Sequence, residues 1–261
     1  MACIFFMKLT VIQPDIRWEK HRENYKHLGN LISESAGNTD LIVLPEMFPT
    51  GFSMNTAVLA EGDESSTVSW MEEIAAKINT AVCGSYIASV AGKYFNRFIF
   101  IAPGSEPVRY DKKHLFRMGK ENLSFSAGTD RVIFSYKEFR ILPVICYDLR
   151  FPVWLRNRND YDLIICVANW PDTRTKVWNT LLRARAIENQ CYVAASNRIG
   201  SDGEGIYYSG DSVILDPKGN ELATIQSHRE GSASAVIDLR NLNEFREKFP
   251  VWKDADDFII T

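Results

Sequence analysis

A layered α/β protein with mixed sheets is the fold this sequence predicts, and three observations predict it. Short, wholly apolar runs such as Leu41-Ile42-Val43-Leu44 and Leu163-Ile164-Ile165-Cys166-Val167 read as strands covered on both faces. Between such runs lie segments whose apolar residues recur at helical spacing. Alternating runs paired across a turn add hairpins. Helices interleaved with short apolar strands and hairpins are the signature of stacked layers.

The elements follow in order. Residues 3–7 form an apolar run, interrupted by Lys8, that is too short to span a membrane and carries no small-residue cleavage site. It reads as the first core strand, continued by residues 8–12. Residues 18–35 place Trp18, Tyr25, Leu28 and Ile32 on one helical stripe. Strand 41–44 comes next. From Ser66 an N-capped helix runs to Ile78, with Trp70, Met71, Ile74 and Ile78 on one side. Residues 81–89 and 94–102 form a hairpin turned near Ala91-Gly92, and 131–136 pairs with 139–145. Downstream come strand 163–167, a long helix 173–189, strand 191–196, strand 211–215 entering the turn Asp216-Pro217-Lys218-Gly219, and a late strand 233–239. Residues 241–261 are a charged, aromatic tail that docks on the body or on a partner.

The 261 residues fit one large domain, 1–261, better than two small ones. A hydrophobic content of 46% with 24% charged residues is ordinary for a soluble globular protein. Net charge of −3 with mixed signs lacks the basic stripe of a nucleic-acid binder, and no segment reads as a membrane span. Five cysteines, odd in number and without a C-x-x-C pair, give neither a disulfide framework nor a zinc site. A reducing cytoplasm is the natural compartment for them. Cys166 and Cys191 read as packed strand residues. The four histidines are scattered, so no metal site is expected.

Three segments carry chemistry. Arg140-Ile141-Leu142-Pro143-Val144-Ile145 is an apolar strand that ends on Cys146, and Cys146-Tyr147-Asp148-Leu149-Arg150-Phe151-Pro152 leads into a polar, helix-like run. At such an elbow the backbone N–H groups of the coming helix can lower a thiol pKa and bind an oxyanion. A packed core cysteine fits the same pattern. Leu44-Pro45-Glu46 delivers a carboxylate at the edge of a buried strand, where a solvated strand end is the plain alternative. Tyr110-Asp111-Lys112-Lys113-His114-Leu115-Phe116, taken alone, reads as a surface loop.

In the order Glu, Lys, Cys, these segments resemble the nitrilase superfamily, carbon–nitrogen hydrolases with a Glu-Lys-Cys triad. Similarity extends to Asn169-Trp170-Pro171, Arg185-Ala186-Ile187-Glu188-Asn189-Gln190 and Ser209-Gly210-Asp211-Ser212, and so over nearly the whole chain. Pro45-Glu46-Met47-Phe48 with Thr50-Gly51-Phe52 is most similar to the omega-amidase branch. The resemblance implies a four-layer α-β-β-α sandwich of two mixed sheets packed face to face. It implies Glu46 as general base, Lys112 as cationic oxyanion stabiliser with the Tyr147 N–H, and Cys146 as nucleophile, with no metal or cofactor. Lys113 falls out of register with the motif. Glu121, seven residues before Gly128, resembles the second glutamate beside the triad, with a solvated loop position as the alternative.

Omega-amidases act on small amides such as 2-oxoglutaramate or 2-oxosuccinamate, which carry a distal carboxylate. A carboxylate asks for a guanidinium. Arg150 is the first candidate, unless it braces the elbow through a salt bridge, and Arg117 is the second. Phe52, Phe116 and Trp170 are candidate walls of a small pocket or members of the core. An amidase for N-carbamoyl amino acids or deaminated glutathione is the nearest alternative. A non-enzymatic scaffold would have lost a triad member, and papain-type chemistry would need a histidine beside Cys146. Family members commonly pair through helices near the site, so a homodimer is expected, with residues around Phe249, Val251 and Trp252 at the interface.

Overall fold

The computed structural model describes residues 5–35, 39–62 and 64–259. The first half runs β1 (Phe6–Gln13), α1 (His21–Ser35), β2 (Leu41–Val43), α2 (Thr56–Leu59), α3 (Ser66–Ile78), β3 (Ala81–Val90), β4 (Lys93–Ile101), β5 (Val108–Asp111) and α4 (Glu121–Ser124). The second half runs β6 (Phe134–Tyr136), β7 (Phe139–Ile145), α5 (Pro152–Leu155), β8 (Leu163–Ala168), α6 (Thr175–Asn189) and β9 (Tyr192–Asn197). It continues with β10 (Ile199–Ser201), β11 (Tyr207–Ser209), β12 (Val213–Leu215), β13 (Glu221–Thr224), β14 (Gly231–Asp238) and α7 (Leu239–Lys248).

Strand alternation sorts the side chains into layers. In β1 to β4 one parity (Met7, Leu9, Val11, Leu41, Val43, Cys83, Phe98, Phe100) joins the core between the sheets. The other parity (Ile12, Ile42, Val82, Ile99) packs on Leu28 and Ile32 of α1 and on Met71 and Ala75 of α3. Every residue of β8 is buried, and α6 adds Trp178, Leu182 and Ala186 to the same apolar cluster. The product is the expected four-layer α-β-β-α sandwich of two six-stranded sheets, ordered β14-β1-β2-β3-β4-β5 and β13-β12-β9-β8-β7-β6. Each sheet has a parallel centre, β1-β2-β3 and β7-β8-β9, flanked by antiparallel strands. Parallel strands point their C-terminal ends to one edge, and ligand sites in open α/β sheets lie there.

Several expectations shift. The expected helix over 18–35 begins at His21, because Glu19 (φ 55) turns the chain and the Asn24 side chain binds both backbone groups of Arg17. Trp18 therefore leaves the stripe. Helix α3 keeps its expected start at Ser66, and its N-cap is Ser65, whose hydroxyl accepts from the Val68 N–H. The expected strand 131–136 shortens to Phe134–Tyr136, and that over 211–215 starts at Val213 because Asp211 (φ 59) turns. The hairpin turn does fall at Ala91-Gly92, where both residues take positive φ, 48 and 75. Of the expected first strand, residues 3 and 4 lie outside the described residues, and the strand begins at Phe6.

The tail is in part a packed helix. In α7 Leu242 is buried, and Arg246 donates to Asp162 Oδ1 (2.7 Å) and to the Tyr161 and Gln190 carbonyls. Residues 241–248 thus dock on the body, while Phe249 stays 61% exposed. No described helix is long and apolar enough to cross a membrane.

Candidate active site

At the shared edge of the parallel centres, β2 leads through Leu44-Pro45 to Glu46, β7 ends on Cys146, and β8 leads to Asn169. Lys112 follows β5 directly, so the tract that alone read as a surface loop is half strand and delivers a fully buried ammonium. Backbone bonds fix it: the Lys112 N–H donates to the Asn96 carbonyl (3.0 Å) and the Gly128 N–H to the Lys112 carbonyl (2.9 Å). Position 128 admits only glycine, since a Cβ there would lie 2.1 Å from the Asp111 carbonyl oxygen. Met47 (φ 43) and Cys146 (φ 45) both sit in the left-handed region at these strand ends, which costs a side-chain-bearing residue about 1–2 kcal/mol.

Glu46, Lys112 and Glu121 are each fully buried and joined: Lys112 Nζ lies 2.8 Å from Glu46 Oε1 and 3.0 Å from Glu121. The solvated reading of Glu121 is thereby overturned. It also accepts from the Phe116 N–H, 2.6 Å from Oε2. Glu46 Oε2 accepts from the Asn169 N–H (2.8 Å), and the Asn169 amide returns to the Glu46 carbonyl (2.6 Å). This pair staples the two sheets at the site. Cys146 Sγ lies 3.9 Å from the Asn169 carbonyl oxygen. The elbow rests on Asp148, a buried carboxylate that accepts from Tyr110 OH, the His114 N–H and the Ile145 N–H and meets His114 Nδ1 at 2.8 Å. His114 is thus committed to Asp148 and stacks on Phe151, away from Cys146.

The electrostatics follow from one ammonium serving two carboxylates. Burial opposes the Lys112 charge, but Glu121 and Glu46 outweigh it and hold the lysine pKa above its ordinary value. Burial raises Glu121 above the usual carboxylate range, with Lys112 only partly offsetting it. Burial and then Glu46 push the Cys146 thiol well up, against a weaker pull from Lys112. The expected lowering by helix N–H groups does not occur. After Cys146 comes a short 3₁₀ turn, Cys146–Arg150, in place of a long helix, and the nearby ammonium is already engaged.

A cavity of about 580 Å³ opens at this edge. Among the described residues Cys146 is the cysteine that lines it, whereas Cys83, Cys166 and Cys191 are wholly buried elsewhere. Phe52, Phe116, Trp170 and Arg150, named from the sequence as candidates, line it, and so does Tyr147. Arg150 forms no ion pair among the described residues. Its guanidinium lies over the rings of Trp170 (5.1 Å) and Tyr147 (6.0 Å), with no salt bridge to the elbow. Arg117 is a correction: it is exposed on the 3₁₀ turn Arg117–Gly119 and stays out of the lining. Arg174, which the sequence reading passed over, lines the cavity with its guanidinium over Phe116 (5.3 Å). Asn169 Oδ1, buried at the wall, has no hydrogen-bond partner among the described residues. Among those residues, too, no group of three or more His, Cys, Asp or Glu side chains is placed to hold a metal ion.

The sequence reading also missed Asn96, whose amide donates to both Glu46 (2.7 Å) and Glu121 (3.1 Å). The signal was there: Asn96 shares parity with Phe98 and Phe100, so it is a polar residue on the inward row of a strand.

An omega-amidase YafV of Escherichia coli K12 is 46% identical over 254 residues, 97% of this chain and 98% of its own length. A 2-oxoglutaramate amidase of Bacillus subtilis is 36% identical over 255 residues, covering 95% of this chain and 98% of its own. The crystal structure of XC1258 from Xanthomonas campestris, a CN-hydrolase superfamily protein with an arsenic adduct in its active site, superposes with a TM-score of 0.95. It is 40% identical and covers 98% of this chain and 99% of its own. The carbon–nitrogen hydrolase family model matches residues 8–247. With nearly its full length matched and both sheets reproduced, the chain belongs to the carbon–nitrogen hydrolase family.

Proposed function

We propose that this chain is an omega-amidase that hydrolyses the terminal carboxamide of a small 2-oxo dicarboxylic monoamide, such as 2-oxoglutaramate, to the carboxylate and ammonia. The observation that carries the reading is a cavity-lining cysteine beside a buried Glu46–Lys112–Glu121 cluster. The names of the Escherichia coli and Bacillus subtilis relatives support the substrate class.

In this reading Cys146 waits as a neutral thiol, consistent with its raised pKa. Glu46 takes the thiol proton as sulfur attacks the amide carbon. Lys112 Nζ and the Tyr147 N–H meet the oxyanion that forms, and the unpartnered Asn169 Oδ1 is an acceptor for the substrate amide N–H. Glu46 then protonates the departing ammonia, leaving a thioester on Cys146. A water that gives its proton to Glu46 attacks the thioester, releasing the acid and restoring the thiol. Glu121 holds Lys112 from the far side. The reading includes one catalytic domain over the chain, a homodimer contacted through the exposed Phe249 and Trp252, and a reducing cytoplasm that suits the free cysteines.

Lys112→Ala is expected to lower kcat/KM by about 10²-fold or more, the scale of removing one oxyanion donor. It also strands two buried carboxylates, a loss of about 3–5 kcal/mol in stability. Lys113→Ala is expected to keep near-native turnover, because Lys113 Nζ points to the Trp154 ring (5.3 Å). Steady-state rates and melting curves on both variants check this; equal losses would overturn the register.

Arg150 and Arg174 are the candidate partners of the distal carboxylate, since each lines the cavity without a carboxylate partner among the described residues. Ammonia release is expected to be faster from the 2-oxo monoamide than from its ester, and faster than from ureido acids or nitriles. Arg150→Leu or Arg174→Leu should erase about 10- to 100-fold of the acid-over-ester preference, because hydrogen bonds to a charged group contribute about 1.5–3 kcal/mol. Equal turnover of acid and ester would sink carboxylate recognition. The cavity volume, with Met118, Leu123 and Ile206 in its lining, also admits a longer amide such as deaminated glutathione. A dominant rate on that substrate would move the assignment while leaving the chemistry in place.

A further inference from the structure

Two buried carboxylates share one ammonium, so the cluster needs further donors to hold both in place. Asn96 provides them from β4. Its amide nitrogen spends one hydrogen on Glu46 Oε1 (2.7 Å) and the other on Glu121 Oε1 (3.1 Å). Lys112 Nζ reaches the same two oxygens, at 2.8 and 3.0 Å, so ammonium and amide close a four-atom ring with the carboxylate oxygens.

The orientation of that amide is enforced from behind. The Met47 N–H donates to Ser85 Oγ (2.9 Å), which leaves the serine hydrogen for Asn96 Oδ1 (2.9 Å) and directs the amide nitrogen at the glutamates. Met47 is the residue after Glu46, so the relay begins and ends on the same strand end. Ser85 and Asn96 are wholly buried, and neither lines the cavity.

We propose that Asn96, oriented by Ser85, is a positioning residue that ties Glu46 and Glu121 into one donor-bridged unit and keeps Glu46 aimed at the thiol. This rests on the reading of Glu46 as the general base. The titratable groups that face Glu46 are Lys112 after β5, Glu121 on α4, Cys146 at the elbow, Cys166 on β8 and Tyr208 on β11; the Asn96 amide on β4 and the Asn169 N–H after β8 also reach it. Asn96 carries no charge, so its effect comes through its two donors alone. A donor to a carboxylate favours the ionised form, and its removal favours the protonated one. Loss of the two donors is therefore expected to cost activity first on the acid side of the profile.

The test is the pH profile of kcat/KM for Asn96→Ala and Ser85→Ala beside the parent enzyme. In Asn96→Ala the acid limb is expected to move up by about one pH unit or more, with kcat falling and KM nearly unchanged. Ser85→Ala frees the amide to turn its oxygen to the carboxylates, and should shift the limb the same way by less. A merely structural role would lower the melting temperature and leave the limb where it is. That result in either folded variant overturns the proposal, and if Asn96→Ala does not fold, Ser85→Ala decides alone. Failure of the general-base reading is distinguishable, because Glu46→Gln would then remain active.

Discussion

Cys146→Ser is expected to fold normally and to lose turnover by about 10⁴-fold or more, given that removing the nucleophile of a covalent hydrolase costs up to about 10⁶-fold. Serine fits the space and the left-handed backbone at Cys146 no worse than cysteine. What it lacks is a group that a carboxylate can deprotonate as attack begins: the thiol is pushed up by burial but remains far more acidic than an alcohol in the same place. Cys166→Ser and Cys191→Ser should keep activity, because both sulfurs are sealed in the core. Ammonia release by the three variants, with peptide mapping of the cysteine labelled by a substrate-like electrophile, checks this. Loss of turnover in either core variant alone would relocate the nucleophile.

Glu46→Gln should give the second largest loss, about 10²–10⁴-fold in kcat, the usual worth of a positioned general base. Glutamine preserves the shape and can still accept from Lys112, so binding should survive. The charge change has a second effect whose sign is opposite to the loss of activity. Glu46 is among the groups that raise the Cys146 pKa, after burial itself. Its neutralisation therefore lowers that pKa, and the thiolate form appears at lower pH than in the parent. Alkylation of Cys146 by iodoacetamide across pH is expected to show a downward shift in midpoint while turnover is nearly abolished. An unchanged or upward shift would separate Glu46 from the thiol.

Much of this was legible in the sequence where local chemistry decides. Ala91-Gly92 turned the hairpin because positive φ was needed at both positions, and α3 kept its predicted span over Ser66–Ile78. Glu46, Lys112 and Cys146 were singled out by their motifs and order, and the fold brings them to one edge. The burial of Lys112 was not, because its partners lie 66 and 9 residues away, and charged neighbours disguised the short edge strand that carries it. Arg117 looked better placed than Arg174 because adjacency to a motif says nothing about which way a turn faces. Asn96 could have been found by parity alone, since a polar residue in line with Phe98 and Phe100 has to meet something buried.

The outermost strand of the first sheet is β14, and it pairs with β1 along all eight residues, Phe6 with Asp238 through Gln13 with Gly231. On a ribosome this means that the first strand to emerge waits for one of the last. The sheet bearing Glu46 and Lys112 stays open at one margin until more than two hundred further residues have been made. By then the sheet bearing Cys146 has been made as well, so the reaction centre comes together at the end of synthesis. Such distant pairing is the kind that folds slowly. It also means that a nascent or truncated chain lacking Gly231–Asp238 leaves β1 as a bare edge, with its row of backbone donors and acceptors open to pairing with another chain.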